Sequence, residues 1–311
     1  MLNHDLVLKA DELFLAGEMR AHGGERAAGL YVRDTRHLSH FALTLNGIEL
    51  TALSLRTDAP TVGVIHLTND RLRLPAGDVR PQTLAIVERV ELGADLRVTV
   101  TIHNFSGRSL DLTLGLELAA DFRDLFDIRG ATPAERGSLL PPAIDQQTLV
   151  LAYDALDGRQ ARTSVSFDQP LEASVAIPPT DIQDGRPTPV PPPLTVCDFS
   201  LVLAPGADWS VTVTVTPHPV DAEERPVSAS PLLHGGESPR RAMVRSDSDL
   251  FDRYLARVDT DLDMLQTTFP PGSLPAAGIP WYVAPFGRDT LIVGLQIVHV
   301  YPTRAAGILR V

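Results

Sequence analysis

The sequence predicts a mainly β protein, with an antiparallel β-sandwich over residues 1–220 followed by α-helices over residues 246–311. Three observations support this prediction. Apolar and polar residues alternate with a period of two through much of the first region, as they do in half-buried strands. Tight-turn pairs such as Asn46-Gly47 and Pro205-Gly206 separate the alternating segments. Beyond residue 246 the apolar spacing changes to that of a helix.

The strand prediction depends on four alternating segments. Asn-Gly suits a type I′ turn, in which both central residues have positive φ, so the segment around Asn46-Gly47 predicts a hairpin. The apolar residues that define the four segments are Phe41, Leu43, Leu45, Ile48 and Leu50; Leu96, Val98, Val100 and Ile102; Leu110, Leu112, Leu114, Leu116 and Leu118; and Phe199, Leu201, Leu203, Trp209, Val211, Val213 and Val215.

Proline and glycine mark the breaks between these regions. The proline-rich stretch 178–193 predicts an exposed excursion, and residues 221–245 predict a linker. Ser246 with Asp249 predicts a helix cap, after which apolar residues follow at helical spacing up to residue 265. A second, more buried helix is predicted through residues 291–298, and a third begins at Tyr301-Pro302.

Composition excludes several classes of function. A net charge of −12 argues against a nucleic-acid partner, because phosphate binding needs a concentrated basic surface. The longest apolar stretch, residues 291–300, is too short to span a bilayer, and residues 1–5 do not resemble a signal peptide. Cys197 is the only cysteine, so an internal disulfide cannot form. These features predict a cytoplasmic protein without a membrane partner.

The loop before the second predicted helix is the strongest functional signal. It places Trp281 and then the pair Arg288-Asp289 in a Pro/Gly-rich segment that leads directly into apolar sequence. An indole can cover the C–H face of a sugar, while a guanidinium and a carboxylate can bridge its hydroxyls. The alternatives are that Trp281 is a packing anchor, and that Asp289 only favours a helix start with Arg288 as its surface partner.

Other charged clusters are better explained as structural. Arg33, Asp34 and Arg36 predict an ion-pair network at a strand junction, with contact to the helical region as the alternative. A second cluster predicts a braced turn, for which paired catalytic carboxylates are the less favoured interpretation; its members are Asp121, Arg123, Asp124, Asp127 and Arg129.

Metal binding is a weak hypothesis. His37 and His40 lack an evident third ligand. Asp259, Asp261 and Asp263 resemble the start of a calcium loop without its glycine and distal glutamate, so they predict a solvated helix face. The sequence therefore predicts no metal site and no cofactor.

Several motifs in this order resemble those of bacterial glycogen-debranching enzymes of the amylo-α-1,6-glucosidase type, and the resemblance covers essentially the whole chain. The motifs are GLYVRDTRHLS at 29–39, LNG at 45–47, ADFRDLFDIRG at 120–130, GIPW at 278–281 and PFGRD at 285–289. The resemblance implies a β-sandwich followed by the first helices of an (α/α)6 barrel of the glucoamylase type.

The resemblance also implies a function. Such barrels usually hydrolyse glucosidic bonds with inversion, using two carboxyl groups that lie on later parts of the barrel. Arg288 and Asp289 would hold the sugar, and neither would be the general acid. The expected partners are an α-glucan or oligosaccharide and the remainder of the barrel. No catalytic residue is identified, so hydrolysis by these 311 residues alone is not expected.

Two alternatives stay open at this point. The chain could be a non-catalytic carbohydrate-binding or interaction module from a split or shortened gene. It could also belong to another (α/α)6 hydrolase that acts on a different sugar.

Overall fold

The computed structural model describes residues 6–17, 27–131, 133, 135–171, 173–177, 192–221, 242, 244–269, 272–279, 281–284 and 286–310. Most of the predicted excursion at 178–193 and of the predicted linker at 221–245 lies outside these residues. The division into domains at 220 and 245 therefore stays a prediction.

Strands dominate the described part of the chain up to residue 221, and helices occupy much of the part beyond it. The strands are β1 (Val7–Ala10), β2 (Leu13–Ala16), β3 (Gly29–Val32), β4 (Thr35–Leu38), β5 (His40–Leu45), β6 (Ile48–Glu49), β7 (Thr51–Ala59), β8 (Val62–Thr68), β9 (Leu84–Leu92), β10 (Leu96–Asn104), β11 (Leu110–Ala119), β12 (Ser138–Leu139), β13 (Ala143–Asp145), β14 (Thr148–Asp154), β15 (Gln160–Phe167), β16 (Ala173–Ile177), β17 (Leu194–Leu203), β18 (Asp208–His218), β19 (Gln266–Phe269) and β20 (Gly272–Pro275). The helices are α1 (Leu125–Ile128), α2 (Asp249–Met264), α3 (Gly287–Ile297) and α4 (Pro302–Ile308).

Two large antiparallel sheets share one apolar core. One sheet has the order β12-β14-β15-β18-β10-β9-β8-β7, with β13 beside β14, and the other has the order β16-β17-β11-β5-β6. The ring of Phe167 in the first sheet meets that of Phe199 in the second edge to face, with centroids 5.3 Å apart. The predicted mainly β, sandwich-like architecture is confirmed.

The period-two prediction is also confirmed at the level of single strands. Along β10 the residues alternate between buried and more exposed, because one face packs on the core. β10 pairs with β9 and β18, and Val100 lies opposite Val211. The Asn46-Gly47 turn joins β5 to β6 with φ of 52° and 74°, as a type I′ turn requires.

A separate four-stranded sheet, β1-β2-β3-β4, has no counterpart in the sequence prediction. Leu13 and Leu15 pack in the main core, whereas the intervening Phe14 packs in a second apolar cluster on the opposite face. Because both faces of this sheet are buried, its sequence shows no alternation. The sheet therefore lies between the sandwich core and the second cluster, whose other buried members are Ala16, Tyr31, Leu125, Ile128, Ala276 and Val283.

The C-terminal region departs from the predicted pair of consecutive helices. A β-hairpin, β19-β20, intervenes between α2 and α3. The N-cap of α2 is Ser248, whose hydroxyl accepts a hydrogen bond from the backbone N–H of Phe251. The predicted cap of Ser246 with Asp249 is therefore wrong by two residues. Pro302 lies in the first turn of α4, as predicted.

The helix predicted through 291–298 contains buried residues, whereas α2 contains none, but the apolar residues expected to be buried are mostly on the wrong face. Leu291, Ile292 and Leu295 of α3 are exposed, and Leu295 is 75% exposed. α3 instead buries its Thr290–Gly294–Ile297 face. Packing against α4 selects this face, because a Cβ on Gly294 would lie only 3.2 Å from Ile308. Among the described residues, no helix is long and apolar enough to cross a membrane.

Candidate functional site

The loop that carries the predicted site connects β20 to α3 through a tight turn. The backbone N–H of Tyr282 donates to the carbonyl of Gly278 at 2.7 Å, and the N–H of Ala277 donates to the carbonyl of Tyr282 at 3.1 Å. Phe286 is the N-cap of α3 and makes no side-chain capping bond. The described residues of the segment 277–287, here named the β20–α3 loop, are therefore held by backbone hydrogen bonds and by the start of α3.

Trp281 joins the loop to the β region. Its ring is partly buried and packs against the second apolar cluster, to which Phe14 and Tyr31 contribute stacked rings with centroids 4.7 Å apart. Burial raises the pKa of Tyr31 to about 12, and its hydroxyl donates to the carbonyl of Ala27 at 2.8 Å. Trp281 thus makes the contacts expected of a packing anchor and keeps part of its surface accessible.

Arg288 and Asp289 lie in the first turn of α3 and are both exposed. Neither side chain has a hydrogen bond or ion pair within the described residues. A carboxylate at this position is favoured by the helix dipole, as one alternative proposed. The surface pair between Arg288 and Asp289, however, is not formed. The structure leaves both side chains accessible from solvent and places Trp281 against the β region.

A second junction connects the two regions through Lys9, the only lysine of the chain. Its buried ammonium donates to the Gln266 carbonyl at 2.7 Å and to the Thr267 hydroxyl at 2.8 Å, as well as to the Asp11 carbonyl. The Asp11 carboxylate accepts from the N–H of Thr268 at 2.8 Å. Burial lowers the pKa of Lys9 to about 8, although the carboxylates of Asp11 and Glu12 oppose this. Strand β19 is therefore bound to β1 through polar groups removed from water.

Arg33 and Arg36 of the first charged cluster form structural ion pairs, as predicted, whereas Asp34 forms none among the described residues. Arg33 binds the carboxylates of Glu12 and Asp221, and Arg36 binds that of Asp121 through a bond of 3.0 Å from Nε and a second bond. Fork-to-fork pairing of this kind fixes geometry as well as charge. These residues brace the four-stranded sheet.

The second charged cluster is a braced turn, which confirms the favoured interpretation. Asp124 caps α1 by accepting from the N–H of Asp127 at 2.8 Å. The Asp127 carboxylate accepts from Arg123 and Arg136. Burial would raise the pKa of Asp127, but hydrogen bonds from the two guanidinium groups hold it below its usual range. These acids are occupied by structural contacts.

The two histidines are both buried. His37 lies with Nδ1 3.4 Å from the Thr163 hydroxyl, and burial lowers its pKa to about 3. His40 Nε2 lies 3.3 Å from a Glu117 carboxylate oxygen. Within the described ranges, no group of three metal-ligating side chains is assembled.

The three aspartates of α2 do more than form a solvated face, and that prediction needs correction. Asp259 accepts a hydrogen bond from the Tyr301 hydroxyl, and Asp263 pairs with Arg304. Only Asp261 pairs within its own helix, with Arg257 at 2.8 Å. These acids connect α2 to α4.

Sequence reasoning missed the roles of Lys9, Arg129 and Tyr282. Arg129 follows α1 and reaches the β20–α3 loop, where its Cζ lies 5.8 Å from the ring centroid of Trp281 and 5.2 Å from that of Tyr282. A lone lysine in a buried strand was an available signal for Lys9. No local pattern indicates which distant loop Arg129 contacts.

The fold and the junctions define a β-sandwich domain bound to a short helical region through a structured loop. The chain belongs to the family described as the N-terminal domain of (some) glycogen debranching enzymes, whose profile matches residues 8–214. No protein of curated function matches the sequence.

Solved structures give only weak likenesses. A protein proposed to be a kojibiose phosphorylase, from the human microbiome, is 9% identical with a TM-score of 0.45, over 68% of this chain and 29% of that one. A heparinase III is 9% identical with a TM-score of 0.42, over 71% and 36%. A galactose mutarotase-like protein from Lactobacillus casei is 9% identical with a TM-score of 0.39, over 69% and 100%. TM-scores below 0.5 assign neither fold nor function.

Proposed function

We propose that this chain is part of an α-glucan debranching enzyme of the amylo-α-1,6-glucosidase type. The reaction would be hydrolysis of a terminal or branch-point glucosidic bond by water, without a cofactor. Membership of the debranching-enzyme N-terminal family is the observation that carries the proposal. The chain spans 29% of the proposed kojibiose phosphorylase, and the complete enzyme would extend well beyond these residues.

In this proposal α2, α3 and α4 are the first helices of an (α/α)6 barrel. Their exposed apolar side chains support it. Leu250 of α2 is 73% exposed and Leu295 of α3 is 75% exposed, so each helix has an apolar surface that the described residues leave uncovered. Further helices of the same barrel would bury these surfaces, as the apolar faces of paired helices normally are.

Trp281, Arg288 and Asp289 would contact the sugar. The accessible part of the Trp281 ring offers a stacking surface, and the unpaired Arg288 and Asp289 offer a donor and an acceptor to neighbouring hydroxyls. The described carboxylates provide no acid–base pair, so the chain alone would bind glucan without hydrolysing it.

Titration of the 311-residue chain with maltoheptaose tests the proposal. Asp289→Ala should weaken binding by about tenfold or more, because one lost charged hydrogen bond to ligand is worth ~1.5–3 kcal/mol. Its melting temperature should hardly change, because Asp289 is exposed and makes no hydrogen bond or ion pair with the described residues. Asp249→Ala, which removes an exposed acid from the first turn of α2, is the matched control.

Two results would count against the proposal. One is binding of maltoheptaose that Asp289→Ala and Asp249→Ala leave equally strong. The other is a marked fall in the melting temperature of Asp289→Ala alone, which would favour a purely structural role at the helix start. Release of glucose from maltoheptaose by the chain alone would contradict the expectation that it is not catalytic by itself.

A further inference from the structure

The surface at the end of α1 brings an arginine of the β region against two exposed aromatic rings of the β20–α3 loop. We propose that Arg129, Tyr282 and Phe286, here named the aromatic corner, form a further contact surface for an α-glucan chain. The β-sandwich would then supply a side chain to the glucan site. This inference rests on the proposed function and extends it to residues for which the sequence predicted no sugar contact.

Packing fixes where Arg129 lies. Leu125 and Ile128 of α1 are buried in the second apolar cluster together with Val283 of the loop. Trp281 packs on the same cluster from the loop side. Arg129 immediately follows the helix, so it is held at the edge of this contact. The apolar cluster therefore determines that the guanidinium faces the loop.

The geometry around Arg129 matches a preorganised hydrogen-bonding group. Its guanidinium lies 5.2 Å from the Tyr282 ring centroid, and Nη2 donates to the Tyr282 hydroxyl at 3.3 Å. The side chain is exposed. A guanidinium carries five N–H donors, and the described residues accept one of them. The cation–π contacts orient this exposed group.

Tyr282 and Phe286 supply the apolar part of the corner. They are 43% and 40% exposed, and their rings meet at 81° with centroids 5.4 Å apart. Two rings at nearly a right angle present one flat face and one edge to a ligand. A glucose unit has the matching features, namely C–H faces that stack on aromatic rings and hydroxyls at its edge that accept from Arg129.

A neutral sugar suits the corner better than an anion. The charge of Arg129 is already engaged with two π faces, and the chain as a whole carries a net charge of −12, which disfavours anionic ligands. The corner also shares a loop with Trp281 and directly precedes Arg288 and Asp289. Successive units of one glucan could contact both sets of residues.

The test uses the 311-residue chain titrated calorimetrically with maltoheptaose, with cellohexaose as the β-linked comparison. Arg129→Ala and Tyr282→Ala should each weaken maltoheptaose binding by about tenfold, as loss of a ligand-contacting arginine or aromatic residue typically does. The matched controls are Arg159→Ala, which removes an exposed arginine paired with Asp157, and Phe105→Ala, which removes an aromatic ring that is 69% exposed. The controls should bind as the parent chain does.

Arg129→Lys tests whether Arg129→Ala weakens binding only because it disturbs the fold. It keeps the charge but loses the planar fork, so binding should fall while the melting temperature stays within ~2 °C of the parent. Unchanged affinity in both Arg129 variants and in Tyr282→Ala would overturn the inference. If Asp289→Ala alone loses binding, the proposed function survives and this inference fails. Absence of maltoheptaose binding by the parent chain, or equal affinity for cellohexaose, would also overturn the inference.

Discussion

The β-sandwich and the helical region differ in how completely they bury their own apolar residues. In the sandwich, residues such as Leu114 and Val100 are 0% exposed and lie in one continuous core. No residue of α2 is buried, and α3 exposes Leu291, Ile292 and Leu295. The helical region has a small cluster of its own, formed by Leu274, Ile297, Tyr301, Ala305 and Ile308.

The difference indicates where each region obtains its stability. The sandwich has the large shared core that an independently stable domain needs. The helical region is bound to it at two junctions. One is polar and centres on Lys9, and in the other Trp281 packs on an apolar cluster while Arg129 contacts the aromatic rings of the loop. The described residues leave the remaining apolar surface of the helical region uncovered. The predictions below test this contrast, beginning with the largest expected effect.

Truncating one leucine in each region should show the contrast in burial most clearly. Leu114→Ala removes buried methyl groups from the sandwich core and should cost about 2–5 kcal/mol of unfolding free energy. Leu295→Ala removes the same atoms from an exposed helix face and should change stability by about 0.5 kcal/mol or less. Denaturant titration of both variants measures the contrast. Similar losses in the two would show that the face of α3 is covered.

Replacement of Lys9 tests the polar junction. Lys9→Met removes the ammonium that donates to the buried Asp11 carbonyl and to the Thr267 hydroxyl, at about 1–3 kcal/mol for each hydrogen bond lost in a buried site. The substitution also removes a charged ammonium that is costly to bury, which offsets part of this cost. We therefore expect a net loss of about 2–4 kcal/mol in the free energy of unfolding. Protease digestion should also cut near β19 faster in this variant. A variant as stable as the parent, with an unchanged digestion pattern, would show that the junction does not hold the regions together.

Acidification should destabilise the β region through His37. Burial lowers its pKa to about 3 from 6.5, so between these values the unfolded chain binds a proton that the folded chain does not. Stability from this group is therefore lost as pH falls below 6.5. Near pH 4.5 the loss is at most roughly 2–3 kcal/mol.

His37→Gln should reduce the difference in denaturation midpoint between about pH 7 and pH 4.5. His66→Gln, at a half-buried position of β8, is the control for replacing a histidine by glutamine. An identical pH dependence in all three proteins would show that His37 does not contribute to acid sensitivity.

The alternation of apolar and polar residues was sufficient to predict much of the sandwich. It failed to predict elements that bury both faces. β10 and β11 pack one face on the core, so alternation identified them. The β1–β4 sheet buries both faces, and its strands gave no such signal. For the candidate site, Pro and Gly correctly indicated a tight loop around Trp281. They could not indicate that the β region would reach the loop through Arg129.

The order of residues alone determined the strand periodicity, the turn at Asn46-Gly47 and the change to helical spacing beyond 246, because each depends on neighbours a few positions apart. Only the tertiary structure decided which face of α3 is buried, that Lys9 bonds to strand β19, and that Arg129 lies over Tyr282. The contacts of Lys9 and Arg129 join residues more than 100 positions apart in sequence, and all three features arise only when packing brings the elements together.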